Sequence, residues 1–495
     1  MSVTDVAPAA PSTASALRAI PAKLSSRTVE LLLLGLAPIL WAAPARRSLW
    51  LDEGQTYWVI KDGLGEALRR SWEYQWHSPL YYVVAWLALT VGGASEFVLR
   101  APSLIAVGVT TWTVYALGRR LFDAETGLIG ATFFAYWVFL VSNMAYNARP
   151  YALAVLLVTS STLALLRWLD SGRLGDAAAY VGLATLLVYM QPLFAGLFAV
   201  HLLAVVERRW RGATSVSIAR FCGGVAVVGV LSLPLVPQMI AVGQLSRQIW
   251  VHRPSVATAS SWILWLTAVV ALLALVRRRL PSRPPLFFYV WCVAAAVWLV
   301  VIALLTGDPG PISRYTYWGF PATVLAIAGV LRVLSRPRRV LVLVAIALIA
   351  FAGMNRPALE DWRQATELAR PLVQSSDTPV LVRTGLPQAR VRKFLEEPEA
   401  RAFVLAPLAL YGMPGAVRPL PHDLDEDYLR RVIVPDIEAR PRIILLAHDY
   451  DFQDRRRLPL QTWFEEHLPS HRSRSIARIA NLIVVVYDRV SDPRP

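Results

Sequence analysis

The sequence predicts an all-helical polytopic membrane bundle followed by a small α/β domain. Of the 495 residues, 56% are hydrophobic and only 17% are charged, a balance that water-soluble domains do not show. Apolar runs long enough to cross about 30 Å of hydrocarbon recur between Leu31 and Met354. From Asn355 onward the pattern changes to short strand-like runs that alternate with helical stretches.

Eleven apolar runs are predicted to span the membrane. They cover residues 29–45, 98–118, 127–144, 150–167, 177–190, 193–206, 218–240, 259–276, 286–305, 315–332 and 340–354. A further run, 79–92, has only 14 residues and contains Tyr81, Tyr82 and Trp86. Spanning helices need roughly 20 residues, and aromatic side chains prefer the membrane interface. We therefore expect this run to lie along the membrane surface.

Arginines in the loops decide the orientation. If residues 79–92 do not cross, sixteen arginines in the loops after residue 118 are cytoplasmic and four are external, as the positive-inside rule requires. The prediction is a disordered cytoplasmic tail at 1–28, a membrane module at 29–355 with its first external loop at 46–97, and an external soluble α/β domain at 356–495. Interfacial helices are expected within that loop.

Five strands are predicted in the C-terminal domain, with helical stretches between them. The strands are PVLV (379–382), AFVL (402–405), RVIV (431–434), RIILLA (442–447) and NLIVVVY (481–487), and the helices are 361–374 and 461–467.

The positive charge does not indicate nucleic-acid binding. Of the net charge of +16, residues 1–355 hold 29 Lys and Arg against 14 Asp and Glu, whereas residues 356–495 hold 21 against 20. These arginines cap apolar spans, and no basic patch interleaved with aromatic residues is present. Cys222 and Cys292 both lie in apolar runs, so they provide neither a disulfide framework nor metal-site spacing.

Two adjacent carboxylates, Asp52 and Glu53, follow the first predicted span in SLWLDEGQTYW (48–58). An acidic residue there is often just a helix cap, because it accepts hydrogen bonds from free backbone N–H groups. The functional alternative is a general base for a hydroxyl acceptor at the membrane surface. Neighbouring side chains on a helix diverge, so these are two separate candidates for the catalytic residue.

A histidine, His77, lies in YQWHSPLYY (74–82). It is a candidate ligand for a phosphate or a metal, and the alternative is an ordinary surface histidine. No second histidine or carboxylate stands at metal-ligand spacing. A divalent metal is possible only if it is shared with Asp52 or Glu53 through space.

Two arginines stand where the positive-inside bias argues against them. Arg149 lies in the short turn NARPY (147–151), and Arg314 begins a predicted span. Snorkelling to the interface would explain both without any function. The functional hypothesis is a bidentate clamp on phosphate oxygens. Tyr82, from the segment that contains His77, and Tyr151, which follows Arg149, are assigned to the same donor-binding site.

With these residues in place, the chain resembles the GT-C superfamily of polyprenyl-phosphate-sugar transferases, specifically bacterial relatives of the protein O-mannosyltransferases and the aminoarabinose transferases. The resemblance rests on an ordered series of motifs over about residues 30–335. They are LDEGQTYW (51–58), HSPLYY (77–82), SEFVLRAPSL (95–104), LGRRLF (117–122), NARPYAL (147–153) and SRYTYWGFPA (313–322). The chain departs from the pattern at Ser78, which replaces a proline, and at Asn147, where a glutamate is usual.

The resemblance implies a GT-C fold, a catalytic base at Asp52, and a donor site lined by His77 and Pro79. It further implies an inverting transfer of a sugar from a polyprenyl-phosphate donor to a lipid, glycan or protein acceptor, outside a bacterial plasma membrane. Two alternatives stay open: a transporter or flippase of an anionic lipid or glycan, and a non-catalytic sugar-binding relative. Transporters carry charged residues near the bilayer midplane, whereas the candidates here gather at one face.

Overall fold

The computed structural model describes residues 25–75, 79–249, 284–306, 313–354, 358, 360–448 and 460–490. Up to Gly353 every regular element in these ranges is helical. The helices are α1 (Ser26–Ala42), α2 (Leu51–Ile60), α3 (Leu64–Tyr74), α4 (Pro79–Gly92), α5 (Glu96–Leu121), α6 (Ala124–Trp137), α7 (Tyr151–Ser171), α8 (Leu174–Met190), α9 (Leu197–Trp210), α10 (Ile218–Ser232), α11 (Val236–Ile249), α12 (Leu286–Thr306), α13 (Phe320–Val333) and α14 (Arg336–Gly353).

Ten of the eleven predicted spans coincide with helices, and the eleventh, 259–276, lies outside the described residues. The predicted span 218–240 is divided at Pro234 into α10 and α11 by a 3₁₀ turn, because proline offers no backbone N–H to the helix. The multi-pass character is thus evident, while the count of eleven stays a prediction.

Within the described residues, five helices are long and apolar enough to cross a membrane. They are Arg27–Arg46, Glu96–Leu121, Tyr151–Ser171, Ile218–Gln244 and Arg314–Val333. Four more apolar helices are shorter, and one of these is α4. The predicted loop at 46–97 contains the three helices α2, α3 and α4. Helices were expected there, and their position at the membrane interface stays a prediction.

Helix α5 is central to the bundle, since it packs against α4, α6 and α7. Its contact with α6 depends on glycine: a Cβ at Gly118 would lie 2.6 Å from the Cα of Gly127, so neither position has room for a side chain. On the α7 side the hydroxyls of Thr113 and Thr159 hydrogen-bond at 2.7 Å, a contact typical of small polar residues between membrane helices.

The C-terminal part contains a five-stranded sheet and short helices. The strands are β1 (Pro379–Arg383), β2 (Ala416–Pro419), β3 (Arg442–His448), β4 (His471–Ile479) and β5 (Leu482–Arg489). The helices are α15 (Trp362–Ala369), α16 (Lys393–Glu396), α17 (Pro398–Val404), α18 (Glu426–Tyr428), α19 (Val434–Ile437) and α20 (Leu460–His467). The strand order is β2-β1-β3-β5-β4, with β1 parallel to both of its neighbours and β5 antiparallel to both of its own.

Two of the five predicted strands are wrong, because AFVL (402–405) and RVIV (431–434) are largely helical. Pro398 at the first position of α17 starts a helix through the first run. Asp425 caps the helical segment that contains the second run by accepting a hydrogen bond from the N–H of Tyr428. The strands β2 and β4 were missed because they are short or rich in arginine, as edge strands often are.

The hydrophobic core continues across residue 355. Val380 and Val382 on one face of β1 pack with Trp362, whereas Leu381 on the other face belongs to the same buried cluster as the membrane helices. Trp58 of α2 meets Phe403 of α17 edge to face, with ring centroids 5.5 Å apart. Strands buried on both faces explain why their apolar runs are continuous rather than alternating. The loop helices and the C-terminal part therefore form one packed structure.

Candidate functional site

Three of the predicted site residues converge although they are far apart in sequence. Asp52 lies in the first turn of α2, Arg149 in the turn before α7, and Arg314 in the 3₁₀ segment Ser313–Gly319 before α13. Nη1 of Arg314 donates a hydrogen bond to Oδ2 of Asp52 at 3.2 Å, and Nη2 of Arg149 lies 3.8 Å from the same oxygen. Arg149 also donates to the backbone carbonyl of Asp52 at 3.2 Å.

The trio has two cations for one carboxylate. The side chain of Arg149 is 5% exposed and that of Asp52 16%, while Arg314 at 26% is the most accessible. Burial by itself would lower the pKa of Arg149, but attraction from Asp52 and nearby tyrosine hydroxyls outweighs it, so the net shift of its pKa is upward. The trio therefore carries one excess positive charge in a partly buried position, where charge interactions are stronger than in water.

The two predicted tyrosines border this trio. Tyr82 on α4 is fully buried, and its hydroxyl lies near the guanidinium of Arg149. The guanidinium of Arg314 lies 5.7 Å from the ring centroid of Tyr151, a cation–π distance. His77 lies outside the described residues. Five of the seven candidates thus surround one place, and their roles stay predictions.

Glu53 faces away from this place. Its side chain is fully buried and forms a fork-like ion pair with Arg100 of α5, in which Nε of Arg100 donates to Oε1 at 2.7 Å. The same carboxylate accepts hydrogen bonds from the N–H groups of Ala148, at 2.7 Å, and Trp50, at 3.2 Å. Both of its oxygens are engaged, so the assignment of Glu53 as a second catalytic candidate has no support in this geometry.

Arg100 is the residue that sequence reasoning missed. Its guanidinium also donates to the carbonyls of Ala45 at 3.1 Å, Arg47 at 2.7 Å and Ser48 at 3.1 Å. It thereby shapes the chain that leads into α2. A signal was present, because a charged residue inside a predicted span implies a buried partner.

Residues of the C-terminal part hold the start of α2 from the other side. The carboxylate of Glu360 accepts a hydrogen bond from the N–H of Leu51 at 3.0 Å, at a helix end where backbone donors are otherwise unsatisfied. The hydroxyl of Tyr411 accepts from the N–H of Leu49 at 2.7 Å. Gly54 permits this approach, since a Cβ there would lie 2.6 Å from the Cα of Pro407.

Metal binding finds little support among these groups. In the ranges that the structure describes, no three His, Cys, Asp or Glu side chains are grouped closely enough to hold a metal ion. Asp52, the partly exposed carboxylate of the trio, already has two guanidinium neighbours. Their charge opposes the approach of a divalent cation, so this donor set does not fit one.

Comparison with known proteins supports the resemblance to GT-C enzymes. The model of the dolichyl-phosphate-mannose-protein mannosyltransferase family matches residues 76–236. The apo structure of ArnT from Cupriavidus metallidurans has a similar fold, with a TM-score of 0.55 at 14% identity over 92% of this chain and 97% of that one. ArnT bound to undecaprenyl phosphate gives 0.54 at 13% identity with the same coverage. The sequence matches no curated protein. At these identities the structures establish a shared fold.

The ion pair between Arg100 and Glu53 should dominate local stability. Arg100→Met leaves a buried carboxylate without its counter-charge, which typically costs about 3–5 kcal/mol. We expect a clearly lower melting temperature of the purified protein in detergent. The double variant Arg100→Met/Glu53→Gln should lose much less than the two single losses added together. Additive losses in this double-mutant cycle would show that the two side chains do not depend on each other.

Proposed function

We propose that this chain is an inverting GT-C glycosyltransferase that moves a sugar from a polyprenyl-phosphate donor to a hydroxyl acceptor on the non-cytoplasmic face of the membrane. The observation that carries the proposal is the convergence of Asp52, Arg149 and Arg314 from three separate parts of the chain. The carboxylate can accept a proton, and the two guanidinium groups, which lie within 4 Å of it, can bind a phosphate. The fold shared with ArnT, which has been solved with undecaprenyl phosphate, supports a polyprenyl-phosphate donor.

The chemistry needs one base and one anion site. Asp52 takes the proton of the acceptor hydroxyl. The oxygen of that hydroxyl attacks the anomeric carbon from the face opposite the phosphate. The bond between that carbon and the phosphate oxygen breaks, and the electron pair leaves with the phosphate. Arg149 and Arg314 stabilise the negative charge that develops there. A phosphate leaves without needing a proton, so no acid is required.

The same arginines also restrain Asp52 before the donor binds. Arg314 donates to Oδ2 of Asp52, so this carboxylate oxygen is already engaged. A donor phosphate competes for these guanidinium groups because it offers more acceptor oxygens. Donor binding would thus release the carboxylate for the acceptor. This order of events would protect the base until the phosphate is in place.

The distribution of arginines supports an external site. Asp52 lies near the N-terminal ends of α5 and α7, whereas Arg119, Arg120, Arg167 and Arg208 lie near the opposite ends of their helices. By the positive-inside rule the arginine-rich end is cytoplasmic. The site and the C-terminal domain would then be on the periplasmic side of a bacterial inner membrane.

The first test concerns Asp52. Asp52→Asn keeps the size of the side chain but takes no proton, so sugar transfer from the polyprenyl phosphate should fall by about 10²–10⁴-fold. Binding of undecaprenyl phosphate should be equal or tighter, because a competing negative charge is removed. Radiolabelled transfer and lipid titration on monodisperse protein measure the two effects.

Asp62→Asn is the matched control, since Asp62 lies just beyond the other end of α2 and pairs with Lys61 and Arg70. It should retain wild-type transfer. Near wild-type transfer by Asp52→Asn would refute the role of Asp52 as the base. A wild-type protein that binds the donor lipid without transferring sugar would favour a non-catalytic sugar-binding relative, and movement of an anionic lipid across the membrane in place of transfer would favour a transporter.

The arginines should act on the donor. Arg149→Ala or Arg314→Ala removes a charge-assisted contact of roughly 1.5–3 kcal/mol, or about ten- to a hundredfold in affinity for undecaprenyl phosphate. Arg149→Lys should recover only part of the loss, because an ammonium lacks the planar fork. Normal lipid affinity in both alanine variants would refute the clamp.

Sidedness is open to a labelling test. In a background without Cys222 and Cys292, Ser376→Cys in the C-terminal part should react with a membrane-impermeant thiol reagent in spheroplasts. Ser215→Cys and Ser335→Cys, both exposed at the arginine-rich end, should react only after lysis. The reverse pattern would place the site in the cytoplasm.

A further inference from the structure

A groove between α5 and α7 collects cationic and aromatic side chains. It is lined by Trp112, Tyr115, Arg119 and Arg120 of α5 and by Leu163 and Arg167 of α7. Both helices begin at the Asp52 end of the bundle, where Arg100 lies in the second turn of α5 and Tyr151 is the first residue of α7. The groove is near their last turns, so it is separate from the candidate active site.

The arginines of the groove differ in how they are held. Arg120 pairs with Asp170 and donates to the carbonyl of Leu166 at 3.0 Å. Asp170 also pairs with Arg208. Arg119 and Arg167 are exposed and form no ion pair or side-chain hydrogen bond with any residue in the described ranges. One arginine is therefore fixed in an ion-pair network, while two offer their full donor capacity to a ligand.

The positive-inside rule explains why arginines are abundant at this end. It does not require them to converge from two helices on one groove. Arg336 and Arg338, at the start of α14, are also exposed at this end but do not line the groove. They therefore serve as a control for positive charge that lies at this end but outside the groove.

An exposed apolar stripe leads away from the groove. Ile105 is 67% exposed, Val109 42% and Trp112 60%. Spacings of four and three residues place these side chains on one face of α5. The stripe joins the cationic groove to the lipid-facing middle of the helix. A cationic pocket continuous with an apolar track fits a molecule that has a phosphate at one end and an alkyl chain at the other.

We propose that this groove binds the headgroup phosphate of an anionic glycerophospholipid. Arg119 and Arg167 bind the phosphate, as basic pockets between membrane helices do on the cytoplasmic side. Trp112 and Tyr115 lie at the level of the glycerol, where amphipathic aromatic rings are favoured. An acyl chain follows Val109 and Ile105. The proposal does not depend on the transferase activity, because it concerns the other end of the bundle.

The test uses full-length protein, stripped of lipid in detergent and titrated with phosphatidylglycerol, phosphatidylcholine or inorganic phosphate while native mass spectrometry counts bound molecules. Phosphatidylglycerol should bind, and the other two should bind at least about tenfold more weakly. Arg119→Ala/Arg167→Ala should weaken phosphatidylglycerol binding by at least about tenfold. Arg336→Ala/Arg338→Ala removes the same charge from the same end and should leave binding unchanged.

A second variant keeps every charge but fills the groove. Ala116 also lines it, so Ala116→Trp should weaken phosphatidylglycerol binding without altering net charge. Equal losses in the two double-arginine variants, or full binding by Ala116→Trp, would show diffuse surface electrostatics and overturn the proposal. So would inorganic phosphate binding as tightly as the lipid. A loss of undecaprenyl-phosphate affinity with intact phosphatidylglycerol binding would assign the groove to the donor lipid instead.

Discussion

One buried guanidinium organises the candidate site. Arg100 approaches from α5 and satisfies the carboxylate of Glu53 together with a series of backbone carbonyls between Pro44 and Ser48. A charge at this depth is tolerated only when its hydrogen bonds are complete. Glu53 in turn accepts from the N–H of Ala148, which ties the turn that carries Arg149 to the start of α2. The positions of Asp52 and Arg149 therefore depend on a contact in which neither takes part.

The C-terminal part completes this arrangement. Glu360 binds the N–H of Leu51, and the backbone at Pro407 packs directly against Gly54. Helix α2 is thus held between α5 and the C-terminal part, and both contacts lie within one turn of Asp52. Catalytic groups need such support, because small displacements of a base reduce its rate strongly. A C-terminal domain whose role the sequence left open acquires a structural one: it fixes the helix that carries the proposed base.

Much of the helical bundle could be predicted from sequence, because spanning helices must bury about 20 apolar residues and satisfy their own backbone. Arg149 and Arg314 could be recognised as candidates because they stand at the ends of predicted spans where the positive-inside rule disfavours arginine. The C-terminal strands were harder to predict. The run AFVL (402–405) follows a proline that starts a helix, and only this proline distinguishes the run from a strand. The pairing of Glu53 with Arg100 joins positions 47 residues apart, and no local pattern specifies such a partner.

The adjacent carboxylates Asp52 and Glu53 have different partners although they lie in the same helical turn. Successive side chains on a helix point about 100° apart, so Glu53 faces the bundle while Asp52 faces Arg149 and Arg314. At 3.2 Å and a dielectric of about 20, the attraction between Asp52 and Arg314 amounts to a few kcal/mol. A donor phosphate of equal charge matches that attraction at the same distance, and its additional acceptor oxygens allow hydrogen bonds to both guanidinium groups. The arrangement thus favours exchange of one anion for another at the arginines, which couples the presence of a donor to the freedom of the base.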